Sequence, residues 1–331
     1  MLRFAVIAAA ALLASVGLAQ DLPPAPAMQG NLRMHDPSMI VVDGTWVGFY
    51  TGAEGMWRGA VLLKSSPDGI TWKNAGGIGK GVPAWTEAEN GYKSQNIWAP
   101  SVSKRGDRLY LYYSASSFGI NSSAIGLTIN DAFDPLKPDQ GWEDQGLVLK
   151  SVISDDFNAI DPYRIDTPDG RAWLSFGSYW SGIKLRELDP ESGRLIAPDT
   201  PTIALASRNG GAVEASSILE HDGRYYLFVS FDQCCRGAAS TYRIMVGRAD
   251  SVEGPYLDRD GVAMMKGGGT QLQAGAGRYL GPGGQEPVFG ATSDMLVYHY
   301  YDGEQNGQFK LQVAPIGWSE DGWPILAPPP Q

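Results

Sequence analysis

Residues 222–230, Asp222-Gly223-Arg224-Tyr225-Tyr226-Leu227-Phe228-Val229-Ser230, join a two-residue turn signal to an aromatic and β-branched run. A pair such as Asp-Gly ahead of such a run marks a tight hairpin feeding a strand. Four other stretches share the shape: Val42 to Tyr50, Gly106 to Ser114, Asp169 to Phe176 and Ser293 to Tyr301. Their turns lie roughly 60, 65, 55 and 70 residues apart. Radial repetition of four-stranded sheets at such a period makes a β-propeller, with one blade per unit. Five units fill residues 30 to 325, so the reading is all-β, a five-bladed β-propeller. A β-sandwich with coincidental turns is the competing architecture.

Composition agrees with many turns around a sizeable core. Of 331 residues, 43% are hydrophobic and 19% charged, with 42 Gly and 22 Pro scattered without a period. The formal charge of −10 argues against nucleic acid and anionic membrane surfaces as partners, since both select a basic patch. Residues 1–19 read as a secretory signal. Arg3 is its positive start, Phe4 to Val16 its apolar run and Gly17-Leu18-Ala19 its cleavage site. Residues 20–29, with Pro23, Pro24 and Pro26, read as a short extended lead-in, and 30–331 as a single propeller domain. The two cysteines, Cys234 and Cys235, are adjacent, so they are either free thiols or a vicinal disulfide and staple no distant segments.

What precedes each turn carries the chemistry. Asp36 lies eight residues before Gly44, while Asp161 and Glu214 each lie nine before Gly170 and Gly223. The three acids are therefore expected at equivalent positions in three repeats, converging on the propeller axis. Clustered carboxyls split their pKa values, and glycoside hydrolysis needs one acid protonated and one ionised. Ordinary turn acids are the alternative, because Asp-Pro is a common turn former.

At these residues the chain resembles glycoside hydrolase family 43, and within it the endo-acting α-1,5-L-arabinanases. The likeness rests on His-Asp-Pro-Ser at 35–38, Asn-Ile-Trp-Ala-Pro-Ser at 96–101, Asn-Ala-Ile-Asp-Pro at 158–162, Val-Glu-Ala at 213–215 and Phe-Asp-Gln-Cys-Cys-Arg-Gly at 231–237. It implies a five-bladed propeller that inverts the anomeric centre. Asp36 would be the general base, Glu214 the general acid, and Asp161 the carboxyl that tunes the acid. It also implies substrate contacts at Asn158, Gly119, Ser178, Tyr179, Trp180 and Trp98, with packing or capping roles as the alternatives. Members of the family carry a metal, often calcium, in the central channel. His299, in the fifth aromatic strand, is the candidate ligand, His35 a packing residue of the motif and His221 a surface residue. No organic cofactor is implied.

The expected substrate is arabinan, a pectin side chain, met outside the cell by a monomer free of membranes once its signal is removed. Exo-arabinanase, α-L-arabinofuranosidase and β-xylosidase are rivals within the family. A carbohydrate-binding propeller without catalysis is the rival outside it. Gly267-Gly268-Gly269-Thr270 lacks the βαβ context and the lysine of a nucleotide loop.

Overall fold

The computed structural model describes residues 22–52, 59–79 and 81–330. The expected signal sequence lies outside them. The chain forms five antiparallel blades. Blade I holds Ser38–Val42, Thr45–Thr51, Val61–Ser66 and Thr71–Ile78. Blade II holds Asn96–Arg105, Arg108–Ser116, Ser123–Asn130 and Glu143–Ser151. Blade III holds Tyr163–Asp166, Ala172–Phe176, Ile183–Leu188 and Ile203–Ala206. Blade IV holds Val213–His221, Arg224–Phe231, Arg243–Ala249 and Thr270–Gln273. Blade V holds Tyr279–Pro287, Met295–Asp302, Gln308–Trp318 and Pro324–Leu326. The first strands of successive blades touch in a closed ring, from blade I through blade V and back to blade I. The five aromatic runs are the second strands.

These second strands are apolar on both faces because each blade is packed between two others. Side chains alternate along a strand, so neighbours in sequence serve opposite seams. In blade II, Leu109, Leu111 and Tyr113 pack toward blade I, whereas Tyr110 and Tyr112 pack toward blade III. In blade IV, Leu227, Val229 and Phe231 join the core with blade III, and Tyr226 and Phe228 the core with blade V. Five such cores, one per seam, replace a single central one.

The residues expected to be a lead-in pack along two seams, Ala25 in the core between blades IV and V and Met28 against the core between blades V and I. Ala25 is buried among Trp323, Leu326 and Ala327, and its N–H donates to the Pro328 carbonyl at 2.8 Å. Farther along, the Leu311 N–H donates to the Leu32 carbonyl, and Gln29–Gly30 pairs in parallel with Thr71 and Trp72 of blade I. This strap ties blade V to blade I. The prolines suit it, since the strap is a peripheral extended segment with few N–H groups to satisfy. Among the described residues, no helix is long and apolar enough to cross a membrane.

Candidate active site

One residue within or just ahead of each blade's inner strand takes left-handed backbone angles: Asp36 (φ 47°), Ala99 (42°), Asp161 (56°), Ala215 (52°) and Gly284 (60°). Non-glycine residues avoid this region, and Asp tolerates it better than most. All five line one cavity of about 20 Å³ on the axis, a volume that admits a water molecule. The sheet register slips beside the left-handed residue in blades II, IV and V, so each first strand is bulged there.

This alignment corrects the expected equivalence of the three acids. Asp36 and Asp161 do match, but the partner of both in blade IV is Ala215, and Glu214 stands one residue earlier. Side chains alternate along the chain, so the offset turns Glu214 away from the floor of the cavity. There its Oε2 accepts the Ser178 hydroxyl at 2.6 Å and its Oε1 accepts the Tyr242 hydroxyl. Asp161 Oδ2 instead accepts the Ala215 N–H at 3.0 Å, which links the two motifs.

The alignment also exposes an acid that the repeat reading overlooked. Two residues past each left-handed position come Ser38, Ser101, Tyr163, Ser217 and Glu286. Glu286 lines the cavity with Asp36 and Asp161 and bonds to the Ser38 and Ser101 hydroxyls. The triplets Asp-Pro-Ser, Ala-Pro-Ser, Asp-Pro-Tyr, Ala-Ser-Ser and Gly-Gln-Glu, set in register, would have revealed it.

Four carboxyls facing one axis separate into unlike states. Burial opposes the ionisation of Asp36. The charge and hydrogen bond of His35, with His299 and Thr51, outweigh it and hold Asp36 well below the usual carboxylate range. Thr51 Oγ1 donates to Asp36 Oδ2 at 2.7 Å, and His35 Nδ1 lies 2.9 Å from the same oxygen. The other three are pushed upward. Burial comes first for Asp161, followed by the charges of Glu214 and Asp36. For Glu214 burial is opposed by the Ser178 and Tyr242 hydrogen bonds, with Asp36 adding to the rise. Burial again dominates for Glu286, opposed by Ser38 and Ser101 and reinforced by Asp161 and Asp36. The site thus holds one carboxyl biased toward its ionised form among three biased toward their protonated forms.

The expected substrate contacts divide. Ser178 is buried and its hydroxyl is committed to Glu214, so it braces that acid instead of meeting solvent. Tyr179 and Trp180 follow it, both left-handed and half-exposed, with the Tyr179 N–H held by the Val213 carbonyl at 2.9 Å. Trp98 is half-exposed, and its ring lies 4.9 Å from that of Phe118, which is 77% exposed. Gly119 (φ 81°) turns this loop in open space. Asn158 is buried and its Oδ1 has no partner.

His299 is also buried, stacked on His35 at 3.8 Å between ring centroids. Its Nδ1 accepts the Asp36 N–H at 3.2 Å. Burial, then the neighbouring His35, depress its pKa well below the ordinary value, so the ring is neutral and keeps its proton on Nε2. Nε2 has no partner, but in this tautomer neither nitrogen has a lone pair to give an ion. Calcium, moreover, prefers six to eight oxygens. His299 does not fit as a direct calcium ligand; only water would bridge it to an ion. His221, expected at the surface, is held by two partners there. It is half-buried, stacked 3.6 Å from Trp318 and 3.0 Å from an Asp294 oxygen. The two cysteines are joined as a vicinal disulfide.

The family profile for glycosyl hydrolases family 43 matches residues 28–324. The chain belongs to that family. This family 43 protein is 42% identical over 326 residues, 97% of either chain, to the extracellular endo-α-(1→5)-L-arabinanase 1 of Bacillus subtilis. It is 37% identical over 305 residues to the extracellular exo-α-(1→5)-L-arabinofuranosidase ArbA of Cellvibrio japonicus, covering 89% of this chain and 86% of that one. Among solved structures, the endo-arabinanase of Bacillus licheniformis superposes with a TM-score of 0.83 at 43% identity, covering 90% of this chain and 99% of that one. The five-bladed fold and the glycosidase class expected for the family 43 protein are thereby established.

Proposed function

We propose that this protein hydrolyses internal α-1,5 links of arabinan with inversion. The observation that carries the reading is the opposed bias of two carboxyls near the axis: Asp36, which lines the small cavity, is pushed toward its ionised form, and Glu214, beside that cavity, toward its protonated form. Inverting glycosidases need that pair with a water between them. Asp36 takes a proton from the water as its oxygen attacks the anomeric carbon. Glu214 gives its proton to the departing glycosidic oxygen. Asp36 then holds a proton, Glu214 has lost one, and exchange with solvent restores both. Asp161, beside Glu214, favours the protonated acid before the reaction. Trp98, Phe118, Tyr179 and Trp180 supply apolar faces for sugar rings, and Asn158 Oδ1 a free acceptor. Arabinan as substrate is supported by the endo-acting relatives, and by an α-L-arabinanase of Cellvibrio cellulosa solved with arabinohexaose, 36% identical with a TM-score of 0.81.

Secretion belongs to the same proposal, resting on residues 1–19 and on relatives named extracellular. So does a monomer, and so does a calcium ion held in the channel through water alone. Elemental analysis and assay after chelation test the ion. Exo action is the second reading, favoured by the likeness to ArbA.

Product analysis on debranched linear arabinan decides between them. A ladder of short oligosaccharides with a fast fall in viscosity is the expected result. Monomer alone, or one fixed oligomer, would replace endo with exo action. No release from arabinan, arabinoxylan or nitrophenyl arabinofuranoside would overturn hydrolysis.

A further inference from the structure

The vicinal disulfide does not stand apart from the reacting groups. The Cys235 N–H donates to Tyr301 Oη at 2.8 Å. Tyr301 Oη lies 2.8 Å from His35 Nε2. His35 Nδ1 lies 2.9 Å from Asp36 Oδ2, and because Asp36 is ionised, that nitrogen is the donor. Three contacts thus lead from an exposed turn of blade IV to the carboxyl that activates water. A ring nitrogen of His35 is also within 4.8 Å of both sulfurs.

The turn is anchored unevenly. Its base is fixed: Asp232 bonds to Arg208 and Arg243, and the Gln233 carbonyl accepts from Thr241 N–H and Ser240 Oγ. Its tip, Cys234 to Arg236, is half-buried to exposed and is joined to Tyr301 by the Cys235 N–H. Cys235 holds a left-handed backbone (φ 65°), which a β-substituted residue avoids when free to choose. The covalent ring with Cys234 restricts that choice.

We propose that the Cys234–Cys235 disulfide is a positioning element of the hydrolytic site, holding the Cys235 N–H on Tyr301 so that Tyr301 and His35 keep Asp36 in place as the base. The inference rests on the reading of Asp36 as general base. A dithiol reductant reverses the effect. The S–S bond breaks, two cysteine thiols form, and the reductant closes to its own cyclic disulfide. The released tip no longer pins Tyr301.

Asp36 is faced by His35, His299 and Thr51, by the carboxyls of Asp161, Glu214 and Glu286, and by Tyr242 and Tyr301. Of these, the turn bonds to Tyr301 directly and reaches His35 through it. Loosening His35 removes a stabilising partner from the ionised carboxyl, so the acidic limb of kcat/KM moves to higher pH.

The test compares the full-length protein before and after dithiothreitol, with thiols counted by Ellman's reagent, and then after reoxidation. The expected result with two thiols exposed is a fall in kcat of about tenfold, a KM within about twofold, an acidic limb displaced upward, and full recovery on reoxidation. Tyr301→Phe should show the same displacement, and reduction should add nothing to it, because both act through one chain. Reduced protein that keeps its kcat and its limb overturns the proposal. So does reduction that weakens Tyr301→Phe as much as the parent. If Tyr301→Phe fails to fold, the reversible reduction of the parent still decides. Asp36→Asn separates the two readings. Abolished turnover beside an immobile limb on reduction sinks the positioning role alone, whereas retained turnover sinks the base and the positioning role together.

Discussion

Asp36 and Asp161 share a left-handed turn before a proline, yet their carboxyls are pushed in opposite directions. The difference is made by neighbours: His35, His299 and Thr51 around the first, two acids and a lone backbone N–H around the second. A bell-shaped kcat/KM profile is therefore expected, with its acidic limb below the ordinary Asp range and its basic limb above the ordinary Glu range. Glu214→Gln should cut kcat about a hundred- to ten-thousandfold while binding of arabino-oligosaccharides, followed by calorimetry, persists. Glu286 makes a different prediction. Its pKa is raised on folding, so the native protein binds a proton more tightly than the unfolded chain, and stability falls as pH rises above the ordinary value near 4.5. Glu286→Gln lacks this loss. Its melting temperature relative to the parent should climb between acid and neutral pH, and a constant difference would refute the assignment. The acids at 36, 161 and 214 were legible because Asp-Pro and Val-Glu-Ala sit ahead of recognisable turns. Glu286 was not, because Gly283, Gly284 and Gln285 hide its repeat, and the one-residue offset of Glu214 depends on bulges that leave no mark in composition.

At the scale of the element, the five aromatic runs announced themselves because a strand buried on both faces has no polar alternation to dilute it. The outer strands did not. Thr270–Gln273 and Ile203–Ala206 are four residues each, and an edge strand packed on fewer sides has little apolar pattern to display. The strap shows little strand pattern for the same reason: its partners are other segments' edges. Gly30 shows what it contributes. At φ 81° an added Cβ would sit 2.3 Å from the Trp72 carbonyl oxygen, which is backbone and cannot swing aside. Gly30→Ala should cost about 2 kcal/mol or more in chemical denaturation, with arabinan hydrolysis at low temperature unaffected. Loss of activity without loss of stability would mean that the strap reaches the site.

Over the whole molecule, five seams of similar make share the load, and the axis collects one residue from each blade. That is why groups as far apart as His35 and Tyr301, 266 residues along the chain, meet in one funnel. The net charge of −10 keeps the protein away from the acidic backbone to which arabinan is attached, so hydrolysis of pectin-bound arabinan should rise with moderate salt, whereas free linear arabinan should be indifferent. Equal salt responses on the two substrates would remove charge repulsion from the account.

The strap brings Ala25 within hydrogen-bonding distance of Pro328, so the two ends of the described residues are neighbours. A ring whose ends meet has no privileged starting point. Joining them by a short flexible linker and opening the chain instead at the exposed Asp169-Gly170 turn should give a circular permutant that folds and retains activity, with its last-closed seam moved elsewhere on the ring.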